Sequence, residues 1–266
     1  GKNMAELTPM MQQYFEIKNK NKDYILFYRL GDFYEMFFDD AKLVSRELEL
    51  TLTGRDCGQG ERAPMCGVPY HSAEGYIAKL VQKGYKIAIC EQMEDPKKAK
   101  GLVKREIIRR VTPGTVVEAS MLDENRNNFL GCVYAAGGSV GVCFADITTG
   151  SVYATGSDNW NDITSEFGRF APREVLVGGG AISADGLQSF LKERLEALIE
   201  PMPEECFEAQ RSAERIQEHF KVQDFDAAGL TDLPCTVQCL GGLLDYLEQT
   251  QKASLSSLNQ PVSYTH

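Results

Sequence analysis

At 266 residues, 43% of them hydrophobic and 25% charged, the chain is long enough to fill two domain cores and too apolar for a disordered tail. Its formal net charge of −10 is unevenly spread: residues 1–120 hold 19 Lys and Arg against 17 Asp and Glu, the remainder 9 against 21. No stretch approaches the roughly 18 apolar residues of a membrane span, and the slight basic excess of the first part argues against tight DNA binding by this chain alone at physiological salt.

Residues 5 to 20 read as an amphipathic helix after Thr8-Pro9, with Met11, Tyr14, Phe15 and Ile17 on one side. A buried strand, Tyr24 to Leu30, then reaches Gly31-Asp32. Beyond it Phe33, Met36, Phe37, Ala41, Val44 and Leu48 recur at helical spacing. Residues i and i+2 of a helix do not share a face, so Phe33 and Glu35 can act together only if the helix entry is extended. Otherwise Phe33 is the first core residue of the helix and Glu35 a solvated carboxylate in its first turn. A strand-like Glu49–Thr53 leads into a Gly-rich charged loop, 54–62, expected to be mobile. A helix from Ala73 to Lys83 stops at Gly84, and Tyr85–Cys90 reads as a buried strand. The densest basic stretch follows, Lys97, Lys98, Lys100, Lys104, Arg105, Arg109 and Arg110, with Arg105 to Val111 read as a strand. These residues are expected to meet phosphate without reading sequence, Lys104, Arg105 and Arg109 foremost, or to guard a strand edge against aggregation.

A polar linker at 119–128 separates the halves. Three short strands starting at Phe129, Val140 and Ser151 are joined by Gly-Gly and Thr-Thr-Gly turns, which predicts a meander. Helix 158–170, strand 174–177, helix 184–195, a strand near 197–199 and helices about 206–220 and 237–249 follow. The eight cysteines are scattered, mostly among apolar residues, as reduced cytosolic thiols would be. Cys235-x-x-x-Cys239 has no second pair beside it, so no metal site is expected. No Gly-x-x-x-x-Gly-Lys-Ser/Thr run occurs, so no nucleotide hydrolysis is expected of this chain. Asp146 is the one strand-end carboxylate that a two-metal nuclease could use, and without converging partners it reads as a turn brace.

Phe27 to Phe37, Ala63 to His71, Lys86 to Met93 and Val111 to Thr115 stand in one order along the first half. Together they closely resemble the mismatch-recognition domain of the bacterial MutS family of DNA mismatch-repair proteins. The second half resembles the family's ribonuclease-H-like connector, chiefly through Asp146 to Gly150. The resemblance implies an α/β (α+β) chain: a mismatch-recognition domain at 5–118, a connector at 129–250, and the start of a core or lever domain at 251–266. It implies that Phe33 wedges into the minor groove against a mispaired base while Glu35 hydrogen-bonds to that base, with Met65 nearby. It further implies an N-terminal fragment, not itself an enzyme, whose ATP and Mg2+ belong to a missing ATPase domain. The implied partners are mismatched double-stranded DNA, MutL through the connector, and a second copy of the full-length protein, in the bacterial cytoplasm at the nucleoid. A family module binding branched or looped DNA without mismatch specificity is the alternative.

Overall fold

This computed structural model describes residues 7–58, 60, 62–118, 121–122, 126–220, 229–230, 232–251 and 262–263. The chain divides into two compact units, Gly1–Thr112 and Pro113–His266.

In the first unit, helix α1 (Pro9–Asn19) opens on Thr8, whose hydroxyl accepts from the Met11 N–H, with Pro9 in the first turn. Pro is pre-set for that position, so the helix begins there rather than at residue 5. The unit continues with β1 (Ile25–Leu30), β2 (Phe33–Phe37), α2 (Phe38–Leu48), β3 (Thr53–Asp56), β4 (Arg62–Pro69), α3 (Ala73–Gln82), β5 (Ile87–Gln92) and β6 (Arg105–Val111). The sheet order is β3-β4-β2-β1-β5-β6, with β1 and β5 parallel and the other neighbours antiparallel. Met11 and Tyr14 of α1 pack on Leu26, Tyr28 and Phe37 of one sheet face.

Two expectations for this unit are corrected. Phe33 to Phe37 are a central strand, not the start of the helix: Met36 and Phe37 are both fully buried because the sheet is covered on both faces, which mimics helical spacing. The second strand-like stretch is displaced. Glu49 ends α2 in a left-handed conformation (φ 55°), and the strand begins at Thr53 and runs through the presumed loop as Gly54, Arg55 and Asp56 pair with Pro64, Ala63 and Arg62. Pairing with β4 supplies backbone partners that local propensity did not reveal.

The second unit holds β7 (Phe129–Ala136), β8 (Ser139–Asp146), β9 (Ser151–Ser157), α4 (Trp160–Phe170), β10 (Glu174–Gly179), the short α5 (Leu187–Ser189), β11 (Leu198–Pro201), α6 (Ala209–Phe220), α7 (Pro234–Thr250) and β12 (Val262–Ser263). The expected helix at 184–195 is thus a short turn of α-helix that widens into a π turn over Phe190–Arg194. The antiparallel meander β7-β8-β9 continues on the other side of β7 with parallel β10 and β11, and β12 runs parallel to β9. This is the ribonuclease-H-like order. Helices α6 and α7 cover one face and α4 and α5 the other. At Gly141 a Cβ would come within 2.4 Å of the Cys235 carbonyl, so α7 seats its backbone directly on β8.

By packing, the division between the two units lies at 112/113. Gly114 N–H donates to the buried Glu174 carboxylate at 3.0 Å, and Asn128 donates to the Pro113 carbonyl at 3.0 Å, which ties Pro113-Gly114 to the second unit. Half of the linker at 119–128 and most of the segment 251–266 lie outside the described residues.

Candidate nucleic-acid interface

Leu30 and Phe33 are register partners, so Gly31-Asp32 is a two-residue hairpin turn. Gly31 has φ +61° with no atom within 4 Å of a would-be Cβ, so the demand for glycine there is conformational rather than steric. Strand alternation then places Phe33 and Glu35 on the same face of β2, which is the extended arrangement joint action requires. Phe33 is 46% exposed at the tip.

The turn is braced from the opposite face by residues that sequence reasoning passed over. Arg29 Nε donates to the Gly31 carbonyl at 2.6 Å, its guanidinium lies 3.6 Å from the Tyr70 ring centre, and it pairs with Glu91 at 3.3 Å. The Tyr34 hydroxyl donates a short hydrogen bond to the same carboxylate, and Tyr70 N–H donates to the Asp32 carbonyl. Burial, reinforced by Glu91, pushes the Tyr34 phenol well above its ordinary range, so it stays a donor. Arg29 and Tyr34 belong to the Phe27–Phe37 motif, Tyr70 to Ala63–His71 and Glu91 to Lys86–Met93, and only the folded sheet brings them together.

Glu35 is inset beside the exposed ring, its side chain 13% exposed. Burial raises its carboxyl above the ordinary value, opposed by the Arg55 and Arg105 charges. Its Oε2 accepts from Arg55 at 3.3 Å. Met65, opposite Phe37 on β4, is half-buried and packs against the α1-side core rather than standing at the tip.

From Lys104 onward the basic stretch is engaged with internal partners, while Lys97, Lys98 and Lys100 are exposed. For Arg105 the expectation of phosphate contact is corrected: it is 7% exposed, donates to the Arg29 carbonyl and to Gln13, and stacks over Tyr28. Arg109 pairs with Glu74 at 2.6 Å. Lys104 is exposed and pairs with Glu106 at 3.2 Å.

Asp146 braces its turn, accepting from the backbone N–H and hydroxyl of Thr148 at 3.0 and 2.6 Å. Among the described residues the one cluster of potential metal ligands is Cys132, Cys143 and Cys239, all buried and within 4.8 Å of one another. Cys132 and Cys143 are register partners and Cys239 comes from α7, an approach that Cys spacing did not reveal. Burial holds the Cys132 and Cys239 thiols far above their ordinary range, and the Cys239 thiol donates to the Cys132 carbonyl, so they act as small core side chains.

The architecture is therefore a mixed α/β unit with a braced, ring-bearing hairpin, followed by a ribonuclease-H-like unit. The family model for MutS domain I matches residues 8–120, past the structural boundary at 112/113, and that for MutS domain II matches 128–259. The chain belongs to the MutS family. It is 51% identical over 260 residues to the DNA mismatch repair protein MutS of Acetivibrio thermocellus, covering 96% of this chain and 29% of that protein. The corresponding figures for the Lachnoclostridium phytofermentans relative of the same name are 50% over 261 residues, 98% and 28%. For that of Ruminiclostridium cellulolyticum they are 49% over 265 residues, 98% and 30%. The chain thus spans less than a third of the length of these curated relatives. No helix among the described residues is long and apolar enough to cross a membrane.

Proposed function

We propose that this chain senses mispaired DNA for post-replicative mismatch repair, with Phe33 stacking on a mispaired base from the minor groove and Glu35 hydrogen-bonding to it. The observation that carries this reading is the 46% exposure of Phe33 on a braced turn, with Glu35 inset on the same face. Wedging a ring between base steps must offset an unstacking cost of a few kcal/mol. Base–aromatic stacking returns about 1–3 kcal/mol whatever the base. A mispaired step is already poorly stacked and easily bent, so the same ring gains more there, and selectivity follows from deformability. The minor groove offers mostly acceptors, so on a matched duplex the desolvated Glu35 carboxylate gains no donor beyond Arg55, whereas a displaced base supplies one.

In this reading the second unit is a connector that relays the encounter to an ATPase domain and to MutL. The working protein is a homodimer at the bacterial nucleoid. ATP and Mg2+ act in the ATPase domain, and this chain's residues take no part in that chemistry. Phe33→Ala in the full-length protein tests the core of the proposal, with affinity measured for a G·T duplex, its paired control and a four-way junction. Loss of the preference for G·T is the expected result. An unchanged preference, or a wild-type preference for the junction over G·T, would sink it.

A further inference from the structure

Arg55 lies on the edge strand β3, in the segment whose composition suggested a loop, yet its guanidinium reaches across β4 to Glu35 on β2. Arg55 stands opposite Ala63 and Glu35 opposite Gly67, so both face the same side of the sheet, offset along β4 with the half-buried Met65 between their positions, and the long Arg55 side chain spans that offset. A Cβ at Gly67 would sit 3.6 Å from the Glu35 Cγ, 3.9 Å from the Phe33 ring and 3.3 Å from the Tyr34 carbonyl. Glycine thus keeps the floor beside the pair open.

The bond is one-sided. Arg55 holds Oε2, and among the described residues no hydrogen bond is made to Oε1. A carboxylate on a flexible stem, gripped through one oxygen, loses rotamer freedom while its other oxygen keeps its capacity to accept. Arg55 itself is 38% exposed, so the grip forms at the rim of the site rather than in the core.

We propose that Arg55 is a positioning residue for mismatch discrimination: it clamps one Glu35 oxygen so that the other is presented beside the Phe33 ring. The proposal rests on the mismatch-sensing reading above. A phosphate-binding arginine would behave differently, strengthening matched and mismatched complexes alike. A clamp changes only their ratio, and only while Glu35 is present.

The test uses the full-length protein and four variants, Arg55→Gln, Arg55→Lys, Glu35→Ala and the double Arg55→Gln/Glu35→Ala, each titrated with a G·T duplex and its paired control. Arg55→Gln should lower the mismatch-to-paired affinity ratio by about threefold or more, in the range of couplings between contacting side chains. Arg55→Lys, which keeps a charged donor, should recover part of the loss. In the Glu35→Ala background Arg55→Gln should leave the ratio unchanged. The proposal is overturned if Arg55→Gln weakens both duplexes equally, or if it shifts the ratio as much without Glu35 as with it. If instead Glu35→Ala leaves the ratio at the wild-type value, the role of Glu35 falls and the clamp with it, an outcome separable from failure of Arg55 alone. Thermal melting of each variant guards against a folding artefact, and melts matching the wild type validate the ratios.

Discussion

Glu35 is held in the fold against its preference for water. Burial raises its carboxyl above the ordinary 4.5, so the folded state keeps the proton longer than the unfolded one. Stability on this account is fully present below about pH 4.5 and falls as pH rises through the raised value. Glu35→Gln, neutral throughout, should therefore raise the urea midpoint at about pH 7 and leave it unchanged well below the ordinary carboxylate pKa. A lower midpoint at neutral pH would mean that the bond to Arg55 outweighs desolvation. Such a residue is what a discriminating site requires, since a stability cost in the free protein is tolerated where function gains from it. Phe33 shows the complementary case. Half-exposed and at a strand end, it contributes little packing, so Phe33→Ala should change unfolding free energy by no more than about 0.5 kcal/mol. Calorimetry would check this, and a large loss would instead mark the ring as part of the core.

At the scale of elements, the hairpin of β1 and β2 is fixed by glycine conformation at one end and by the network of Arg29, Glu91, Tyr34 and Tyr70 behind it. The Phe33 ring is thus carried on a sheet, not on a loose loop, so in the proposed role ordering it on contact costs little entropy. In the second unit the seat of α7 on β8 depends on Gly141. A Cβ there meets backbone atoms of Cys235 and Thr236 at 2.4 to 2.5 Å, which no rotamer change can relieve. Gly141→Ala should destabilise this unit by about 3 kcal/mol. A midpoint within error of the wild type in chemical denaturation would show that α7 can shift at little cost.

For the whole molecule, charge sets what the chain can do alone. The first 120 residues carry a net excess of only two positive charges, and Arg105, Arg109 and Lys104 are each engaged with partners inside the protein. Of the basic stretch, Lys97, Lys98 and Lys100 are exposed and make no ion pair among the described residues, so they are the cations left to release counterions. Binding of this chain to DNA should accordingly be weak, with a slope of log affinity against log salt of about −3 or shallower. Fluorescence anisotropy over a salt series measures it. A steep slope would show that the internally paired arginines let go of their partners for phosphate.

Much of this organisation was legible in the sequence. Periodicity found both cores and the meander because apolar spacing directly encodes which face is buried. Gly31-Asp32 marked the turn because few other residues adopt its backbone conformation, and the ordered motifs carried the family. What stayed hidden involves residues distant along the chain. Helical spacing at Phe33 to Phe37 concealed a strand buried on both faces, and a glycine-rich run concealed β3, because strand pairing depends on partners that no local window contains. Basic residues looked available for phosphate until folding drew Arg105 onto Tyr28 and Gln13. The sequence by itself determined which residue types could probe a base and where the chain turns to offer them. Only the tertiary structure decided which charges remain free, that Pro113-Gly114 belongs to the second unit, and that Arg55 reaches Glu35, since each depends on side chains meeting across strands rather than along one.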